Sequence, residues 1–170
     1  MKQLNHYETI AKMKIQSTDL ILCLCGISAE NLGLIMRTAD IFSVKEIYYL
    51  GSSELNYNKI KKNSRGSNVT ITFLDGINKL FYDLKSQGYD IIALEITDSA
   101  IPLRTVKLKE KTCLVVGNEK TGVPQEILDM VDNACYIEML GKNISSLNVS
   151  ISTAIATNKY VELKNSNQLV

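Results

Sequence analysis

Apolar residues follow two rhythms along this chain. Short, nearly unbroken apolar runs alternate with longer stretches in which apolar side chains return every three or four positions. Residues 19–26 (DLILCLCG) form the first run, continuous enough for a strand buried on both faces. Further strands are predicted at 45–50, 69–73, 89–96, 113–117 (CLVVG) and 134–139. Between them the helical rhythm predicts helices at 30–42, near 55–62, at 77–85 with Gly88 as its stop, and at 124–130 with Pro in its first turn. A run of small and β-branched residues ending near Tyr160 reads as a buried helix. Leu4, Tyr7, Ile10 and Met13 suggest a short amphipathic helix within residues 1–18, and residues 97–111, holding Pro102, read as a loop. Strands alternating with helices predict an α/β fold with a mostly parallel sheet and helices on both faces. Neither a linker nor a repeat divides the chain, so residues 1–170 are expected to form a single domain.

Composition narrows the picture modestly. The chain is 45% apolar and 22% charged, an ordinary soluble balance, and its net charge of +1 is neutral toward nucleic acid. Two local basic clusters stand out: Lys59, Lys61, Lys62 and Arg65, then Lys107, Lys109 and Lys111. Each reads first as a solvated face or loop. Cys23, Cys25, Cys113 and Cys135 all lie in apolar runs, and with one histidine, His6, they form no zinc-site spacing. They read as reduced core thiols of a cytoplasmic protein, with no metal. No signal-peptide core and no run near the ~20 apolar residues of a membrane span is present. The N-x-S/T sequences at Asn68, Asn143 and Asn148 carry no meaning in a cytosolic chain.

Three loops follow strands and are richer in polar and small residues than turns require. In a parallel sheet they share the edge where ligands bind. The first brings Asn31 and Gly33, suited to a helix start with free backbone N–H groups, and Arg37 on an otherwise apolar surface. The second, GNEKTGVP, brackets Glu119 with Gly117 and Gly122. It lacks the K-S/T of a P-loop, and alone it reads as a strand-to-helix turn before it reads as a ligand loop. The third carries Gly141, Ser145, Ser146, Leu147 and Asn148.

Taken in order, N-x-G-x-x-x-R-x-A-x-x-F (Asn31 to Phe42), V-x-G-N-E-x-x-G-V-P (Val115 to Pro124) and I-x-M-x-G…S-L-N-V-S (Ile137 to Ser150) resemble the SpoU, or TrmH-like, RNA ribose methyltransferases of the SPOUT superfamily. The resemblance covers residues 19 to about 162. It implies a C-terminal trefoil knot, S-adenosylmethionine as cofactor and a homodimer in which the arginine of one subunit lies near the cofactor of the other. Carried over by position, it implies cofactor contacts at Gly117, Ile137, Leu147 and Leu94. It implies catalytic roles for Arg37, Asn31, Glu119, Asn148 and Ser146. The basic residues after the second strand, Lys59, Lys61, Lys62 and Arg65, are candidates for RNA phosphates together with Arg37. The short segment before the first strand resembles compact members, many of which act on transfer RNA, so tRNA is favoured over rRNA.

The chain departs from the family pattern at three places. Glu138 stands where Pro is usual, Ser43 where Gly is usual, and the Gly141-to-Leu147 spacing is one residue longer. These departures motivate an alternative, a non-catalytic RNA-binding module that keeps the fold. The glycine-bracketed loop alone would also suit an unrelated nucleotide-binding enzyme with an unknotted sheet.

Overall fold

A computed structural model describes residues 1–5, 8–9, 12, 16–52 and 54–170. Among them, seven strands pair in one sheet: β1 (Ile21–Cys25), β2 (Glu46–Leu50), β3 (Ile71–Leu74), β4 (Asp90–Leu94), β5 (Ile101–Pro102), β6 (Thr112–Val116) and β7 (Asn133–Tyr136). Their spatial order is β3-β2-β1-β6-β4-β7-β5, and every pairing is parallel. The helices are α1 (Ala29–Ile41), α2 (Tyr57–Ser64), α3 (Asn78–Ser86), α4 (Gln125–Leu128) and α5 (Val149–Asn165).

The strands explain why the apolar runs are unbroken. Side chains alternate between faces along a strand, and both faces are covered. Leu22, Leu24, Ile92 and Leu114 pack under α1, α2 and α5, with Leu32, Ile35, Ile60 and Tyr160. Ile21, Cys23, Ile91 and Val115 pack on the other side against Phe81 and Leu84 of α3 and Ile127 of α4. All four cysteines are free and buried in these layers.

Several boundaries differ from expectation for identifiable reasons. Residues 97–111 are not wholly loop, because Ile101 and Pro102 pair with Cys135 and Tyr136 as an edge strand. Proline is tolerated there because an edge has an unpaired side. Strand β7 stops at Tyr136 instead of 139: Leu103 N donates to Tyr136 O at 2.7 Å, and beyond it no neighbouring strand remains. The helix expected at 124–130 is a single turn, with Pro124 as its N-cap. Gly33 does not belong to a free helix start. It is buried one turn inside α1, where a Cβ would come within 2.6 Å of Ile60 O, so it lets α2 pack against α1. Ser43 holds a left-handed φ of 52°, a conformation that favours glycine. The helix expected within 1–18 rests on Tyr7, Ile10 and Met13, which with His6 lie outside the described residues.

Candidate active site

The carboxyl ends of β1 and β6 meet through a polar chain. Ser28 starts α1, its side chain accepting from Asn31 N at 3.5 Å. The same Ser28 donates to Glu119 Oε1 from Oγ at 2.8 Å and from N at 3.3 Å. Asn31 Nδ2 donates to that carboxylate oxygen as well. Asn31 Oδ1 in turn accepts from Asn148 Nδ2 at 3.1 Å. The Asn148 Oδ1 caps α5, accepting from Ser150 N at 2.9 Å and Ser150 Oγ at 2.6 Å. Residues 88 and 117 positions apart thus join one network. Burial draws the Glu119 carboxyl upward, but bonds from Asn31, its own backbone N–H and Ser28 outweigh it and hold the group below the ordinary carboxylate range.

The turn that carries Glu119 is tightly built. Asn118 and Gly122 exchange backbone hydrogen bonds at 3.1 and 2.9 Å, and Asn118 Oδ1 accepts from Lys120 N at 2.8 Å. Asn118 Nδ2 also donates to Gly26 O, tying the turn to the end of β1. Gly117 is obligatory here, since a Cβ would sit 2.1 Å from the Gly122 carbonyl carbon. Sequence reasoning gave no role to Ser28, Asn118 or Glu95. Ser28 was detectable as a cap three residues before Asn31, ahead of a helical run. Glu95 was detectable as an acid at the end of an apolar strand.

Beside this turn lies a cavity of about 520 Å³. Leu94, Gly117, Ile137 and Leu147 line it, and so do Ser146, Met139 and Glu95. Its size and its mixture of apolar side chains with a few polar groups suit a small organic ligand. All four residues expected at a cofactor, together with Ser146, therefore surround one space.

Arg37 does not reach that space within one chain. It is exposed on α1 and lines a second groove with Leu34, Ile41, Ile151 and Ile155, where α1 meets α5. Ile41 and Ile151 are 61% and 52% exposed, large values for isoleucine. Lys61 and Lys62 on α2 and Arg65 just after it are exposed, while Lys59 pairs with Glu30. The second basic cluster lies at the opposite edge of the sheet: Lys109 pairs with Asp90 at 2.6 Å, and Lys111 donates to Gln87 O at 2.9 Å. Glu138 pairs with Arg104. Among the described residues, no helix is long and apolar enough to cross a membrane.

Comparison with known proteins follows the same residues. Residues 19–158 match the SpoU rRNA methylase family. The tRNA (guanosine(18)-2'-O)-methyltransferase of Escherichia coli K12 is 32% identical over 140 residues, spanning 81% of this chain and 60% of its own length. The enzyme of that name from Aquifex aeolicus is 34% identical over 141 residues, covering 81% of this chain and 66% of its own. This chain therefore spans about 60% of the length of the first of these relatives. The crystal structure of the Aquifex aeolicus TrmH/SpoU tRNA modifying enzyme superposes with a TM-score of 0.77 at 27% identity, covering 89% of this chain and 78% of that one.

Proposed function

We propose that this chain, which belongs to the SpoU rRNA methylase family, transfers a methyl group from S-adenosylmethionine to a ribose 2′-hydroxyl of RNA, tRNA being favoured over rRNA. The observation that carries this reading is the Asn148–Asn31–Glu119 chain standing beside a cavity lined by Leu94, Gly117, Ile137 and Leu147. The tRNA preference draws support from the tRNA methyltransferase activity for which the relatives are named. The cavity fits the cofactor: apolar Ile137, Leu147 and Met139 suit a flat base, and the bare backbone at Gly117 permits close approach. The described residues read as one domain, since both cores share one sheet. We take its C-terminal segment to follow the knotted path of the family, a reading supported by the likeness in fold.

When bound, S-adenosylmethionine would supply an electrophilic methyl group on a sulfonium sulfur, with the neutral thioether as leaving group. The chain's own residues do the rest by positioning. The attacking hydroxyl must lose its proton, which passes to solvent or to an RNA phosphate oxygen because a guanidinium stays protonated at neutral pH. Arg37 is therefore assigned to bind the RNA phosphate and orient the ribose toward the methyl group. Asn31 and Asn148 are assigned to hold the arginine or the ribose, and Glu119 fixes Asn31. Ser146 contributes a hydroxyl at the cavity wall. Lys61 and Lys62 on α2 and Arg65 just after it, with Lys59 beside Glu30, offer further phosphate contacts.

Because Arg37 sits on the exposed apolar groove of α1 and α5, apart from the cavity of its own chain, we assign that groove to a second copy. Pairing would bury Ile41 and Ile151 and bring Arg37 of one subunit to the cavity of the other. Four free, buried thiols suit a cytoplasmic protein.

Incubation with labelled cofactor and tRNA or rRNA from a ribose-methylation-deficient host, followed by mapping of modified riboses, tests the activity. Transfer to tRNA is expected, and a folded protein that methylates neither RNA overturns the proposal. Arg37→Ala should lower transfer by about 100-fold and leave cofactor affinity unchanged. Ile151→Asp should sediment as a monomer and lose transfer. A fully active monomer would refute the shared site.

A further inference from the structure

Glu95 stands outside the network around Glu119, directly after β4, where the cavity opens. Its backbone is fixed, with N donating to Cys135 O at 2.9 Å. Its carboxylate is fixed as well: Oε2 accepts from Val123 N at 2.8 Å, and Oε1 accepts from Ile96 N at 3.0 Å. Gly122 makes this possible, because a Cβ there would come within 2.5 Å of Oε2. Gly122 therefore leaves room for this carboxylate, while Gly117 lets the turn's own backbone close on Gly122 and Val123.

An ionised carboxylate accepts at about four lone-pair positions and donates nothing. The backbone occupies one position on each Glu95 oxygen, and so about two remain, one per oxygen. Among the described residues, Glu95 forms no ion pair. The other carboxylate lining the cavity, Glu119, is already engaged by Ser28 and Asn31. Glu95 is thus a rigidly held acceptor at the cavity wall, and an acceptor left without a donor when a ligand excludes water carries a desolvation cost. The ligand must bring the donors.

We infer that Glu95 is the residue that recognises the ribose of the nucleoside cofactor, accepting hydrogen bonds from its two vicinal hydroxyls. This rests on the cofactor reading above. A vicinal diol presents two O–H donors on adjacent carbons, which matches one free position on each of two carboxylate oxygens. A single ammonium or sulfonium centre asks for charge and needs no such pairing. Val123 N–H and Gly122 lock the orientation that makes the pairing selective for a sugar.

The test is a binding cycle by calorimetry with S-adenosylmethionine, S-adenosylhomocysteine and the 2′-deoxy and 3′-deoxy forms of the latter. The wild-type protein should bind each deoxy ligand about tenfold or more weakly than S-adenosylhomocysteine. Glu95→Gln should weaken both parent ligands to a similar degree, and the deoxy penalty should shrink in that variant. Wild-type protein that binds the deoxy ligands as tightly as the parent overturns the assignment without recourse to any variant. Penalties that simply add reduce Glu95 to a brace for the turn and also overturn it. Loss confined to the sulfonium ligand in Glu95→Gln would show charge sensing instead, and overturns it equally. Failure of wild-type protein to bind any of the four ligands is a separate result: it removes the cofactor reading, and the ribose assignment falls with it.

Discussion

Two walls of the same cavity are built in opposite ways. The turn from Gly117 to Gly122 is cross-braced: its glycines pack backbone to backbone, Asn118 ties it to Gly26, and Glu119 ties it to α1. The stretch from Met139 to Leu147 makes no hydrogen bond to any described residue, and it holds Leu140 and Ile144 at 97% and 74% exposed. The first wall has its geometry before anything binds. The second has no such bracing. A preformed wall lowers the ordering cost of binding, while an unbraced one adds to it. Affinity should therefore depend steeply on the turn and shallowly on the stretch.

Glycine substitutions offer the largest contrast. Gly117→Ala forces a Cβ to 2.1 Å from backbone that cannot move aside, so it should destabilise the protein by about 1–3 kcal/mol or more and abolish cofactor binding. At Gly141 a Cβ meets nothing within 4 Å, so Gly141→Ala should stay within about 0.5 kcal/mol of the parent. Thermal unfolding of both variants decides this, and equal losses would erase the distinction between the walls.

Polar changes should follow the same order with smaller effects. Asn31→Ala removes the link between Glu119 and Asn148, so transfer should fall about 100-fold in a folded protein. Deleting Asn143, which shortens the other wall by one residue, should change stability by less than about 0.5 kcal/mol, because loop closure depends weakly on length. Steady-state kinetics beside chemical denaturation separates the two. An Asn143 deletion that unfolds the protein would mean that the stretch is braced after all.

The smallest effect concerns pH. The Glu119 carboxyl is held below its ordinary value, so its folded-state pKa lies under the unfolded one. Its contribution is then present above the unfolded value of about 4.3 and is lost as pH falls through the lower folded value. Stability of the parent should be flat from neutral pH to about 5 and should fall more steeply below that than in Glu119→Gln. Superimposable acid profiles would remove Glu119 from the brace.

Much of this molecule could be read in one dimension, because burial imposes local patterns. A strand covered on both faces needs continuous apolar residues, so DLILCLCG and CLVVG announced β1 and β6, and their cysteines announced buried thiols. The three motif loops were visible for a related reason: small and polar residues after strands are uncommon unless the backbone must turn or be approached closely. Gly33 shows where this reading fails. A glycine near a helix start looks like a ligand position, and only the packing of Ile60 against it reveals a helix–helix contact.

By itself, the amino-acid order determined the alternation of elements, the parallel sheet, the buried thiols and the short list of residues from which a site is made. Tertiary structure alone decided which of them meet. It put Glu119 against Ser28 and Asn31 across 88 to 91 positions of sequence, enclosed Glu95 with Gly122, ended β7 at Tyr136 and set Arg37 on a separate apolar groove. The physical reason is range. Periodicity is set by neighbours three or four residues away, whereas a hydrogen-bond partner 117 residues distant exists only once the strand order has brought the two loops to one edge.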